Sequence, residues 1–91
     1  QLKNISTEIT ENQKRINETN KTIKAVRDIN GISDSDLSYN EGVAGEIYQK
    51  LLANLEVLTT ERTQLITDFN VKAEEKEQVY RSILRISELV R

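Results

Sequence analysis

Apolar residues return at every seventh position in two separate stretches of this chain. They are Leu2, Ile9, Ile16 and Ile23 in the first stretch, and Leu51, Leu58 and Leu65 in the second. A sustained seven-residue repeat places its apolar side chains along one seam of a helix, so the chain is expected to bury two helices against each other. In the first stretch the intervening seam positions are Ile5, Asn12, Thr19 and Val26, a mixed set. In the second, Tyr48, Leu55 and Phe69 alternate with the leucines, and Leu52, Ile66 and Tyr80 widen the stripe on one side. That width suggests contact with more than one neighbouring helix over part of the length.

Between the stretches, Gly31 follows Asn30 where a left-handed cap would end a helix. Ser33, Asp34, Ser35, Asp36 and Ser38 then crowd a segment whose short polar side chains compete for backbone groups, which favours turns and caps. Ser38 and Glu41 have the spacing of a capping box, Asp36 offers an earlier cap, and Gly42 and Gly45 weaken the first turns that follow. The expected organisation is a first helix over 1–30, an acidic loop over 31–42 and a long second helix over 43–91. The fold class is all-α: an antiparallel coiled-coil hairpin, able to serve within a larger helical bundle or an oligomer.

Antiparallel seams pair residues whose numbers share a constant sum, and a sum of 74 fits this chain best. It sets Ile5 against Phe69, Ile9 against Leu65, Ile16 against Leu58 and Ile23 against Leu51, with Asn12 and Arg62 facing each other as one polar layer. Sliding by one heptad would oppose Ile5 to Arg62 and Asn12 to Leu55, leaving buried polar groups unpaired at a cost of about 1–3 kcal/mol each. A polar layer of this kind specifies register at some expense of stability.

The same register ends the first helix opposite Lys72 and leaves the second running on for about 28 Å. Val79, Tyr80, Ile83, Leu84, Ile86 and Val90 then need cover, from residues upstream of Gln1 or from a second chain. Because the chain begins at Gln1 and holds no methionine, it is expected to be a fragment or a processed product.

Chemistry is sparse. The chain has no histidine and no cysteine, so histidine-based triads, thiolate nucleophiles and the commonest soft metal ligands are missing. Carboxylate-only catalysis needs a concave pocket that separates the environments of two acids, and a two-helix rod offers none. No catalytic, cofactor-binding or metal-binding residue is assigned, and the chain is read as a non-enzyme. Asp34, Asp36 and Ser38 are spaced like the start of a calcium-binding loop, but Tyr39 and Gly45 stand where that loop requires glycine and a bidentate glutamate.

Thirteen basic and fifteen acidic residues leave a net charge of −2, and the basic residues of the first helix alternate with acidic ones. This argues against direct nucleic-acid binding, and no apolar run is long enough for a membrane span. Asn4, Asn17 and Asn20 each begin an N-x-Ser/Thr triplet, against about one expected by chance at this composition; since the match needs only three residue types, they are read as polar positions on an exposed helix, and an intracellular setting, cytoplasmic or nuclear, is favoured over secretion.

The expected function is that of a structural segment: spacer, oligomerisation module and protein-protein contact within a larger assembly, with another helix as partner. Two other readings stand beside it. One is a parallel homo-oligomeric stalk, including an extracellular one. The other is a regulatory module whose loop tip, Asp34, Asp36 and Glu41, is the binding surface, since an acidic tip suits a basic protein partner.

Overall fold

The computed structural model describes residues 2–90, and for Val90 the backbone alone. Two helices, α1 (Leu2–Asn30) and α2 (Gly42–Val90), pack against each other as an antiparallel hairpin. The rod measures 74 × 18 × 16 Å. Among the described residues there is no strand, and no helix is long and apolar enough to cross a membrane.

The end of α1 follows from Gly31. At φ +64° this residue leaves the helix in the left-handed region, where a Cβ would be strained. The Ile32 N–H then reaches back to the Arg27 carbonyl at 2.9 Å, the six-to-one hydrogen bond of a Schellman cap. The cap turns Ile32 inward, where it is buried with Ile23 and Tyr48, and Val26, Tyr39, Leu51, Leu52 and Leu55 pack around these three. The isoleucine assigned to the loop on composition is therefore a core residue at the closed end of the hairpin.

The loop is folded onto the first turns of α2. Ser33 and Asp36 close a turn through their backbone at 3.0 Å, and the Asp36 carboxylate accepts from both the N–H and the hydroxyl of Ser38. Ser38 is thus occupied as the far end of an Asx turn and does not cap α2, which begins at Gly42. The chain crosses over Gly45 so closely that an added Cβ would lie 2.2 to 2.8 Å from backbone atoms of Asn40. Glycine is required there by contact, although a glycine inside a helix otherwise costs about 1 kcal/mol relative to alanine.

Along the seam, burial is deepest from Asn12 to the closed end and fades toward the start of α1. Ile16, Thr19, Ile23 and Leu58 are buried, whereas Ile5, Ile9, Leu51, Leu65 and Phe69 are half-buried. Thr19 satisfies its hydroxyl by donating to the Arg15 carbonyl one turn back, which lets a polar residue sit in the seam.

The polar layer differs from its sequence expectation. Asn12 is fully buried, but its amide donates to the Leu58 carbonyl at 3.0 Å and to the Glu61 carboxylate at 3.2 Å, and Arg62 is exposed on the rim beside Ile9 and Gln13. The reason is geometric. A helical carbonyl points toward the C-terminus, so the oxygen of Leu58 projects into the turn that faces Asn12, within reach of a short amide. Arg62 keeps its guanidinium in water and avoids the desolvation that a buried position would impose.

Candidate helix-docking face and loop tip

Two regions offer surfaces that the hairpin itself does not consume. The first is the far end of α2. Leu2 and Lys3 of α1 line an open notch with Lys72, Glu75, Lys76 and Val79, which places the start of α1 at this level of α2. Beyond it, Val79, Tyr80, Ile83, Leu84 and Ile86 are all exposed, with Ile83 and Ile86 at 59% and 61% against 2% for Ile23 in the seam. Leu89, which the sequence expectation leaves out, is 81% exposed. The side chain of Val90 lies outside the described residues.

Val79, Ile83 and Ile86, spaced four and three apart, share one face of the helix, with Tyr80 and Leu84 flanking it on one side and Leu89 on the other. Arg81 and Glu88 fall on the opposite side by the same periodicity. An exposed apolar stripe rimmed by polar residues is the kind of surface that marks an interaction site. Its electrostatics are mild, since Arg81 pairs with Glu77 within the helix at 3.2 Å.

The second region is the loop tip, and it is fastened from below. Tyr48 is fully buried, with its ring edge-on to Tyr39 at 6.3 Å and its hydroxyl donating to the Asp36 carbonyl at 3.0 Å. The Nε of Arg27 donates to the same hydroxyl at 3.2 Å, and its guanidinium carbon lies 5.7 Å from the centre of the Tyr48 ring. Arg27 also donates to the Asp34 carbonyl, while Gln49 donates to the carbonyls of Leu37 and Tyr39. Side chains of α1 and α2 thereby satisfy four loop carbonyls that no regular structure pairs.

The three acidic residues of the tip are not equivalent. Asp34 is almost wholly exposed, with its carboxylate 3.8 Å from the Arg27 guanidinium. Asp36 is half-buried and occupied by Ser38, and Glu41 is exposed while its carbonyl accepts from Gly45 in the first turn of α2. Among the described residues no three acidic side chains converge to hold a metal ion.

Nothing in the sequence pattern marks Tyr48, Arg27, Gln49 or Ile32 as functional. Tyr48 could be placed on the seam by its spacing, but nothing in a heptad shows that its hydroxyl would meet a loop carbonyl. Compared with known proteins, the chain matches no family model, no curated protein and no solved structure.

Proposed function

We propose that the chain is a non-enzymatic spacer and oligomerisation module, in which the hairpin sets a rigid length and the bare end of α2 receives another helix. The observation that carries this reading is the contrast along one helix: the heptad continues through Val79, Ile83 and Ile86, yet among the described residues α1 reaches only the level of Val79, and all three are more than half exposed. A stripe built like the seam is suited to a partner built like α1. The fastened loop tip supports the spacer role, because a closed end held by Tyr48, Arg27 and Gln49 keeps the rod in one shape.

Sedimentation equilibrium over a chain concentration of about 1–500 µM tests it, a range chosen because an interface smaller than the standard size associates weakly. The expected result is a mass that rises to a defined oligomer, and that stays monomeric for Ile83→Glu while the hairpin melts unchanged. A wild-type chain that remains monomeric throughout would defeat the reading.

The acidic tip as a binding surface is a second reading, favoured only by the exposure of Asp34. Asp34→Lys separates the two, since it should leave association through α2 intact.

A further inference from the structure

Of the asparagines in this chain, only Asn30 is followed by glycine. The pair stands where α1 ends, in the cap that turns Ile32 into the core. An asparagine side-chain amide is an electrophile, and the backbone nitrogen of the next residue can reach it through a five-membered ring. A side chain on that next residue hinders the approach, and glycine has none. Asn30 is exposed, and among the described residues no atom stands within 4 Å of where a Cβ on Gly31 would be.

We infer that Asn30 is a site of spontaneous deamidation, and that its conversion undoes the cap at the closed end of the hairpin. The Gly31 nitrogen bonds to the Cγ of Asn30, the Cγ–Nδ2 bond breaks, and Nδ2 leaves as ammonia with the proton that Gly31 gives up. The cyclic imide that remains then takes up one water. Opening the new N–Cγ bond gives aspartate at this position. Opening the original peptide bond gives isoaspartate, in which the chain runs through the former side chain and is longer by one methylene.

The fold governs how fast this happens. Asn30 is the last helical residue of α1, and its Nδ2 donates to the Val26 carbonyl at 2.9 Å, which folds the amide back along the helix. Closing the five-membered ring requires a rotation about Cα–C that the helical backbone does not allow. The reaction therefore proceeds when the last turn frays, and helix ends are where opening is easiest.

The product cannot rebuild what the fraying released. An extra methylene between residues 30 and 31 enlarges the ring closed by the Ile32 N–H on the Arg27 carbonyl, the hydrogen bond that aims Ile32 at Ile23 and Tyr48. The donor to the Val26 carbonyl is lost as well, and a carboxylate now sits at the negative end of the α1 dipole. The closed end loosens, while the packing of Ile16 against α2 lies several turns away.

Trypsin cuts after Arg27 and after Lys50, so one peptide carries both Asn30 and Asn40. Asn40 is exposed in the loop but is followed by Glu41, which makes it an internal reference. The whole chain is aged in mildly alkaline buffer, digested, and mapped by mass spectrometry for the gain that accompanies replacement of the amide by a carboxyl.

Conversion at Asn30 is expected to outpace that at Asn40 many-fold, with isoaspartate as the major product, and to run several-fold faster in the guanidinium-unfolded chain. The converted chain should melt about 5 °C below fresh protein. Asn30→Gln, whose longer side chain closes the ring poorly, should pass through the same ageing with its mass and melting temperature unchanged. Asn30→Asp carries the charge without the longer backbone and should melt between the two. Equal conversion at Asn30 and Asn40 would overturn the site, and equal rates in folded and unfolded chain would overturn its control by fraying. A converted chain that melts like fresh protein would overturn the effect on the cap.

Discussion

Tyr48 and Tyr80 stand on the same helix, and the environment of each is set by what lies across from it. Tyr48 is fully buried, with its hydroxyl between Arg27 and the Asp36 carbonyl; Tyr80 is 59% exposed, beyond the level at which α1 starts. The apolar periodicity of α2 is similar at both places. What differs is the facing element, so a heptad marks the capacity for a contact and leaves the partner to be found elsewhere. One end of α2 is stabilised by the chain's own loop and first helix, and the other relies on local helix propensity until something docks on it.

The largest expected effect comes from exchanging the two tyrosines for alanine in turn. Tyr48→Ala removes the side chain on which Ile23, Ile32 and Tyr39 pack, and should cost about 3–5 kcal/mol, enough to unfold a hairpin of marginal stability. Tyr48→Phe keeps the ring and loses the hydroxyl bonds, for about 1–2 kcal/mol. Tyr80→Ala should change the monomer by less than about 0.5 kcal/mol, as expected at an exposed site. Chemical denaturation followed by circular dichroism, at a concentration where the chain is monomeric, measures all three. Equal losses at residues 48 and 80 would mean that the far end of α2 is covered within the monomer.

Much of this architecture was legible in the repeat. Both helices, the antiparallel hairpin and the excess length of α2 follow from apolar spacing and Gly31, because periodicity is a property of the backbone and survives without knowledge of contacts. The end of α1 was legible because a left-handed glycine cap is local. Three features were not. Ile32 lies among turn residues, and only the Schellman cap turns it toward Ile23 and Tyr48. Gly45 reads as a weak helix position until the chain at Asn40 is seen lying on it. A residue count opposes Asn12 to Arg62, but the Leu58 carbonyl projects along the helix toward the next turn and the Glu61 carboxylate reaches the same amide, which makes these two its partners. Seam positions alone carry no information about where backbone acceptors point.

Asn12 gives the next largest effect and tests the middle of the seam against its ends. Its amide nitrogen makes two hydrogen bonds, while its oxygen is buried without a partner among the described residues. Asn12→Asp would place a carboxylate against two acceptors, the Leu58 carbonyl and the Glu61 carboxylate. Burial and Glu61 both raise the folded-state pKa of such an acid above its unfolded value. The variant is therefore most stable in acid and loses stability as pH climbs from the unfolded pKa through the folded one, by about 3 kcal/mol at pH 7. Asn12→Leu removes the unpaired oxygen and should raise stability by about 1 kcal/mol, while relaxing the choice between pairing sums of 74 and 67. Thermal melts across pH 3–8 read both signs. An acidic variant with no pH dependence would mean that water already reaches residue 12.

The smallest effect separates the two ends of the rod by their local ion pairs. Lys24 and Asp28 bridge at 3.0 Å on α1, and the hydrogen bond and charge of Asp28 raise the Lys24 pKa; Glu77 and Arg81 bridge at 3.2 Å on the bare part of α2. Both pairs are solvent-exposed, and on the hairpin such a pair adds little to what packing already supplies. The far end of α2 has no packing of that kind, so its helix depends more on propensity and on pairs spaced four apart. Asp28→Asn should therefore leave amide exchange in α1 unchanged, whereas Glu77→Gln should speed exchange around residues 77–85 in the monomer. That acceleration should vanish at about 1 M salt, where screening acts within roughly 3 Å. If instead both substitutions act alike, the end of α2 is held by something besides its own backbone, and the contrast between the two tyrosines belongs to exposure alone.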